Sequence, residues 1–437
     1  MKRYKEYKDS GVEWIGEIPS HWDIADFRRC VRLKQGLQIA QDKRFETDGK
    51  NRHVYITVKY TNSNKEDVDT EYIEKPYKSV MCDKDDVLLA RTGATGKVIT
   101  DVEGVFHNNF FKIIYDKQKI TKEYLVYYLK QETIQNYLKL IAGTTTIPDL
   151  NHGVFLSTKV VLPNIIEQKQ IVKYLDKKTL QIETLISKKE ELIETLKASR
   201  SKLISEIVTK GLDKDVTMKD SGVEWIGEIP SHWEVSKIKY TTYVKGRIGW
   251  QGLRSDEFVD NGPFLVTGTD FKNGEIDWNS CYHIEDKRYN EAKQIQLKEN
   301  DLLITKDGTI GKIALVVNKP EKASLNSGIF VTRPLENSLY TNDFMYWVLE
   351  SNIFKKYIAI NETGSTIKHL YQETFVNFDF MIPNKKEQKE IVNYLNKKVN
   401  EIDTLLATIQ EQIELLKKAK QKLITEVVTG KIDVTNL

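Results

Sequence analysis

Residues Lys8 to Trp22 read KDSGVEWIGEIPSHW, and the same fifteen letters return at Lys219 to Trp233, an offset of 211. Farther along, Glu167-Gln168-Lys169 is matched by Glu387-Gln388-Lys389 at an offset of 220. Between these anchors the copies diverge, yet landmarks persist. DDVLLARTGATGKV (Asp85 to Val98) answers NDLLITKDGTIGKI (Asn300 to Ile313), and TTTIPDL (Thr144 to Leu150) answers GSTIKHL (Gly364 to Leu370). Solenoid repeats recur every ~20–50 residues, so a period this long is a domain duplication. Near-identical ends around divergent middles describe a shared frame that presents two different surfaces.

The frame includes two long helices. From Glu167 to Thr209, and again from Lys386 to Thr429, there is neither Gly nor Pro, the two residues that most disfavour a helix interior. Apolar residues step at heptad spacing through Ile171, Leu175, Ile182, Leu185, Leu192, Leu196, Leu203 and Ile207. The second copy repeats the pattern with Ile391, Leu395, Ile402, Leu405, Ile409, Leu416, Leu423 and Val427. A period near 3.5 with Glu/Lys-rich flanks is the seam of a coiled coil. Lys178, Lys189, Lys398 and Gln412 interrupt it. Gly211 just past the first helix reads as a C-cap. The two seams are expected to pack on each other antiparallel; a self-dimer through them is the alternative pairing.

The middles are strand-rich. HVYITVKY, VFHNNFFKIIY, GPFLVTGTDF and NSGIFVTRP are short β-branched and aromatic runs bounded by turn residues. Helical segments follow at Thr121 to Ile141 and Thr341 to Ile360. The expected fold class is therefore α+β. Two tandem domains, at 1–160 and 211–380, alternate with helical arms at 161–210 and 381–437, in pseudo-two-fold symmetry. A length of 437 residues suits several domains, and 40% apolar with 30% charged residues is a globular composition. No stretch approaches the ~20 apolar residues of a membrane span, and no apolar run follows the basic N-terminus as in a secretory signal. Cys30, Cys82 and Cys281 are odd in number and lack CxxC spacing, which points to a reducing cytoplasm. The net charge of +3 is too small for a whole-protein basic field.

Catalytic signatures are hard to find. RTGATGK and KDGTIGK (Arg91 to Lys97, Lys306 to Lys312) lack the spacing and the Ser/Thr of a phosphate loop and read as tight turns. Pro148-Asp149 with Glu167-Gln168-Lys169 mimics a nuclease pattern, but the second unit has Lys368-His369 in place of Pro148-Asp149. Glu167 and Glu387 open a helix, where capping and the helix dipole suffice to explain them. The seven histidines form no H-x₃-H pair, and no Gly-rich nucleotide fingerprint appears. Trp14, Trp22, Trp225 and Trp233 stand in the identical repeat, which favours a common packing role over base stacking. The chain reads as non-enzymatic, with no catalytic residues, metal site or cofactor of its own.

Together, SGVEWIGEIPSHW at both unit starts, the GATGK and GTIGK turns, TTTI and STI, the Pro163/Glu167-Gln168 and Pro383/Glu387-Gln388 helix starts and the heptad arms resemble one family. It is the DNA-specificity subunits of type I restriction-modification systems, and the resemblance runs through the whole chain in order. It implies two target-recognition domains, each reading half of an interrupted site on double-stranded DNA. Two methyltransferase (M) subunits would dock on the helices and a restriction (R) subunit would join them. S-adenosylmethionine, ATP and Mg²⁺ would belong to those partners, and no membrane is involved. A rigid rod makes half-site spacing part of the specificity, since one groove face recurs every ~34–36 Å.

On this reading the DNA contacts come from loops in the variable parts. The candidates in the first domain are Lys34, Gln38, Gln41, Lys43, Arg44, Lys59, Tyr60, Asn62 and Arg91. In the second they are Arg247, Trp250, Gln251, Arg254, Thr269, Lys272 and Lys306. Competing readings are a specificity subunit of another restriction-modification type and a coiled-coil scaffold without a nucleic-acid role. The scaffold would bind its partner without the steep salt dependence of a DNA reader.

Overall fold

A computed structural model describes residues 2–62, 70–143, 148–247, 253–336, 338–361 and 369–435. The chain divides into two compact units, Met1–Lys189 with Glu411–Leu437, and Glu190–Gln410. Each contains one strand-rich domain and parts of both long helices, so the compact units cut across the linear order of domain, arm, domain, arm.

The arms are continuous helices, Ile165–Lys210 and Lys385–Val428. Each starts on an asparagine cap: the Glu167 and Glu387 N–H groups donate to Asn164 and Asn384 Oδ1, both at 3.0 Å. Each ends on a glycine in the left-handed region, Gly211 (φ 74°) and Gly430 (φ 75°). Within the first unit, Lys420 pairs with Glu183 and the Lys189 ammonium donates to Gln412 Oε1. Residue numbers fall on one helix as they rise on the other, so the run is antiparallel. Two of the polar interruptions, Lys189 and Gln412, thus satisfy each other. In the second unit Arg200 bridges to Asp403 across the helices and to Glu350 of the strand-rich domain.

The seam differs locally from the expected one. Leu185, Leu192 and Leu405 are 44, 43 and 45% exposed, while Ile193 and Ile413 are buried along with the expected Ile409. From Ile182 the first arm turns Ile186, Lys189, Ile193, Leu196 and Arg200 inward, a 4-3 alternation. Leucines one residue away invite the wrong choice, because Lys189 and Arg200 disguise the true stripe as polar.

Each strand-rich domain holds two sheets. In the first, strands Val31–Gln35, Phe110–Tyr115, Val87–Ala90 and Val98–Ile99 form one sheet in that order. Tyr72–Glu74, Arg52–Ile56, Gly104–Phe106 and Met81–Cys82 form the other. The second domain repeats the plan with Thr242–Gly246, Ile329–Pro334, Leu302–Thr305 and Ile313–Leu315, and with Tyr282–Ile284, Phe258–Val266 and Ala323–Leu325. It extends the first of these sheets by Glu275–Ile276 and Phe271–Lys272, joined by an Asn-Gly turn with positive φ at Asn273 and Gly274. A short antiparallel ladder closes each domain, Asp23–Asp26 with Lys159–Leu162 and Glu234–Lys237 with Asp379–Ile382. Each expected helical segment is two helices, broken at extended Gln131 and Ser351.

Two repeated devices fix the domains to the arms. Gln168 is fully buried and makes three hydrogen bonds: Nε2 donates to the Lys119 and Pro163 carbonyls, and Oε1 accepts from the Thr121 N–H. Gln388 does the same with Leu339, Pro383 and Thr341. The fifteen-residue repeat forms a small hairpin, Tyr7–Asp9 with Glu17–Pro19 and Met218–Asp220 with Glu228–Pro230. Trp22 and Trp233, both fully buried, lie against Gly430 and Gly211 at the arm ends, where a Cβ would meet the indole. Trp22 and Trp233 thus have the packing role that their identical surroundings imply, while Trp14 and Trp225 are only half-buried.

Candidate nucleic-acid interface

A strand cannot turn sharply without residues that tolerate unusual backbone, and the GATGK and GTIGK turns supply them. Gly93 and Gly96 (φ 75° and 86°) correspond to Gly308 and Gly311 (69° and 80°). Gly96 N donates to the Ala90 carbonyl, as Gly311 N does to Thr305. The Arg91 N–H donates to the Asn109 carbonyl and that of Lys306 to Gly328. The Arg91 and Lys306 carbonyls accept from Leu150 N and Leu370 N. Backbone alone thus ties each turn to two other loops, leaving the side chains free to differ.

In the first domain the short helix Val58–Asn62 joins this cluster. Val58 sits against Gly93, and the Lys97 ammonium caps the helix by donating to the Thr61 carbonyl (2.8 Å) and Asn62 Oδ1. Gln38 Oε1 accepts from Asn108 Nδ2 at 2.8 Å, beside Asn109. Gln38, Lys59, Tyr60, Asn62 and Arg91 therefore come together at one end of the sheets. In the second domain the loop at Thr267–Asp270 takes the place of that helix, with Gly268 against Thr305 and the Thr267 and Thr269 hydroxyls 2.7 Å apart. Thr269 and Lys306 come together there. The identical backbone frame carries a helix with Lys and Tyr in one domain and a threonine loop in the other.

The other candidates are dispersed. Lys34 is exposed on its strand, and Gln41 and Lys43 are exposed on the turn that follows. Arg44 is neutralised internally: Nη1 pairs with Glu71 at 3.0 Å, Nε and Nη2 donate to the Ile39 carbonyl, and the guanidinium lies 5.1 Å from the Tyr55 ring centre. Arg91 forms a two-pronged pair with Asp149, Nε to Oδ1 at 2.8 Å, and stacks over Phe111. Lys306 lies over Phe330 in the same way, while neighbouring Asp307 pairs with His369. Lys272 pairs with Asp277, and Arg254 is exposed. Tyr60 packs against the cluster around Ile56 and Phe106 and is half-buried.

Arg247 is only 3% exposed. Its Nε donates to the Leu325 carbonyl at 2.8 Å and Nη2 to Ser324 Oγ at 3.3 Å, and burial pushes the guanidinium down to about 10. It ties the strand Thr242–Gly246 to the second sheet and lies below the surface. Trp250 and Gln251, like the TTTI and STI motifs, fall outside the described residues.

Sequence reasoning missed Asn108, Asn109 and Lys97, which build the same cluster. Lys97 was visible as the last letter of a repeated GxxGK turn; the asparagines carried no signal. Among the described residues no group of three His, Cys, Asp or Glu could hold a metal ion. Glu167 accepts from Tyr4 Oη (2.8 Å) and lies 3.1 Å from His21 Nε2, and Glu387 lies 2.9 Å from His232 Nε2. These pairs tie the repeat to the first turn of each arm, on top of the capping expected for an acidic residue there. All three cysteines are buried, with thiols raised by desolvation. No helix among the described residues is long and apolar enough to cross a membrane.

A family model described as the type I restriction modification DNA specificity domain matches residues 23–195 and again 230–415. The MjaVIII type I restriction enzyme specificity subunit of Methanocaldococcus jannaschii is 25% identical over 100% of this chain and 99% of its own. The EcoBI specificity subunit of Escherichia coli is 22% identical over 68% and 64%. Among solved structures, one on complex assembly and conformational transition of the type I R-M system superposes with TM-score 0.71 at 16% identity, covering 95% of this chain and 99% of the other. The HsdS subunit from Thermoanaerobacter tengcongensis gives 0.53 at 15% identity, covering 95% and 98%.

Proposed function

Because this chain belongs to the type I restriction-modification specificity family, and is thereby a DNA-recognition subunit, we propose that each of its domains reads one half of an interrupted double-stranded site. The observation that carries the reading is the loop cluster built on the same backbone bonds in both domains yet bearing different side chains. A shared frame with divergent tips is what two half-site readers need, since phosphates are alike everywhere and base edges are not. Gln38, Lys59, Tyr60, Asn62 and Arg91 are the central contacts of the first reader, with Lys34, Gln41 and Lys43 as further contacts. Thr269 and Lys306 are those of the second, with Arg254 and Lys272 as further contacts; Trp250 and Gln251 are carried over from the sequence alone. Arg44 and Arg247 support these loops from below.

Two methyltransferase subunits dock on this chain in the proposed assembly, and a restriction subunit joins them. S-adenosylmethionine, ATP and Mg²⁺ act there, while this chain contributes recognition. The test is co-expression with the methyltransferase subunit in a methylation-free host, followed by sequencing for modified adenines. A single interrupted motif is expected, and replacing 57–62 and 91–97 should change one half while replacing 267–272 and 306–312 changes the other. A continuous motif, or both halves changing together, overturns the reading.

A further inference from the structure

Folding accounts for most of the fifteen-residue repeat. Ile15, Ile18 and Trp22 are buried, as are Ile226, Ile229 and Trp233. Gly11 and Gly16, with Gly222 and Gly227, have positive φ. Asp9 and Asp220 accept from Gly11 N and Gly222 N, and Ser10 and Ser221 close the turn. Glu13, Glu17, Glu224 and Glu228 are different. All four are exposed, and among the described residues their carboxylates form no ion pair or hydrogen bond, although the Lys431 ammonium stands near Glu17 and donates to its backbone carbonyl. Exposed residues away from any partner usually change at little cost, and the rest of the two units has changed widely.

An apolar patch adjoins them in both units. Trp14 stacks on Tyr137 with ring centres 5.1 Å apart, and Trp225 meets Tyr357 at the same separation. Three residues on, one helical turn along the same face, stand Leu140 and Ile360, 72% and 65% exposed. In the second unit Glu224, Trp225 and Ile360 line one cavity of about 400 Å³. The family match begins at residue 23 in one unit and 230 in the other, after both pairs of carboxylates. Lys356 in the second unit and Lys431 beside Gly16 in the first are not shared between copies.

We propose that this patch, Glu13/Glu17 with Trp14 and Leu140, and Glu224/Glu228 with Trp225 and Ile360, is a docking surface that each unit offers to one copy of the same protein partner. Carboxylates repel phosphate, so the occupant is not DNA. Two equal surfaces on one chain fit two equal partners, each bringing lysine or arginine to the carboxylates around an apolar side chain that lies beside the indole. Resting on the reading above, the occupant is the methyltransferase subunit, held by this patch as well as by the arms.

The experiment titrates the methyltransferase subunit onto the full chain and reads stoichiometry by native mass spectrometry and affinity by calorimetry. Two copies bind the wild type. E13K/E17K and E224K/E228K each weaken one site by at least about tenfold, leaving one copy bound at limiting concentration. Leu140→Ser and Ile360→Ser, one exposed position each, do the same without a charge change. Two copies bound with unaltered affinity in all variants overturn the docking surface while the assembly stands. Failure of the wild type to bind the subunit overturns the assembly and the inference with it. Self-association of the isolated chain that E13K/E17K abolishes identifies a second copy as the occupant and overturns it too.

Discussion

In the first recognition domain Asp86 caps its turn by accepting from Asp83 N, and is held by the Lys112 ammonium at 2.7 Å. At the equivalent place in the second, Asp301 accepts from Lys298 N but is held by Arg333 through two bonds of 2.6 and 2.7 Å. The cation has moved two residues along the equivalent strand, which keeps it on the same face of the sheet. Its burial has changed too: the Asp86 side chain is 22% exposed and that of Asp301 3%. The duplication therefore retained a carboxylate that organises a turn and left its counter-charge free to relocate.

The comparison can be stressed at four points. Trp22→Ala and Trp233→Ala should each cost about 4 kcal/mol, the loss of a fully buried indole. Hydrogen exchange should show Val87–Ala90 loosened by the first and Leu302–Thr305 by the second; an effect on one unit only would mean the two frames are not equivalent. Asp301→Ala should cost about 3 kcal/mol by stranding a largely buried guanidinium. Asp86→Ala should cost only about 1 kcal/mol, because its carboxylate is partly exposed and holds Lys112 by a single bond, and the Met81 carbonyl still accepts from that ammonium. Equal unfolding midpoints for the two would contradict the difference in burial. Gln168→Ala and Gln388→Ala should match at about 2 kcal/mol, since each strands the same backbone groups. At the tips the asymmetry should return: Lys306→Ala should weaken binding about tenfold, reading only the second half-site, about 1.4 kcal/mol. Asp149→Asn, which releases Arg91 from its pair, should strengthen binding at the first half by a smaller factor. Titration of duplexes altered in one half at a time decides both.

Much of the frame was legible because it repeats. The fifteen letters, the Glu-Gln helix starts and the breaker-free arms each occur twice, and repetition separates signal from chance. The inward positions at Ile186 and Ile193 were not legible, since nothing local tells them from Leu185 and Leu192; only the opposing helix does. At the candidate interface, the glycine turn and its lysine could be read from spacing. The state of Arg44 and Arg91 could not, because their carboxylates stand 27 and 58 residues away. Arg247 likewise looks like a surface cation until the strand Ala323–Leu325 closes over it.

The backbone N–H of Asp433 donates to the Lys2 carbonyl at 2.9 Å, and Tyr7 Oη donates to the Gly430 carbonyl. The first and last described stretches of the chain are thus neighbours in the first unit, while 212–215 is an exposed connection in the second. A few residues linking Thr435 to Lys2, with the chain opened near Asp213, would preserve every contact described above. The fold of each unit would then be separable from the order in which the polypeptide visits the two domains.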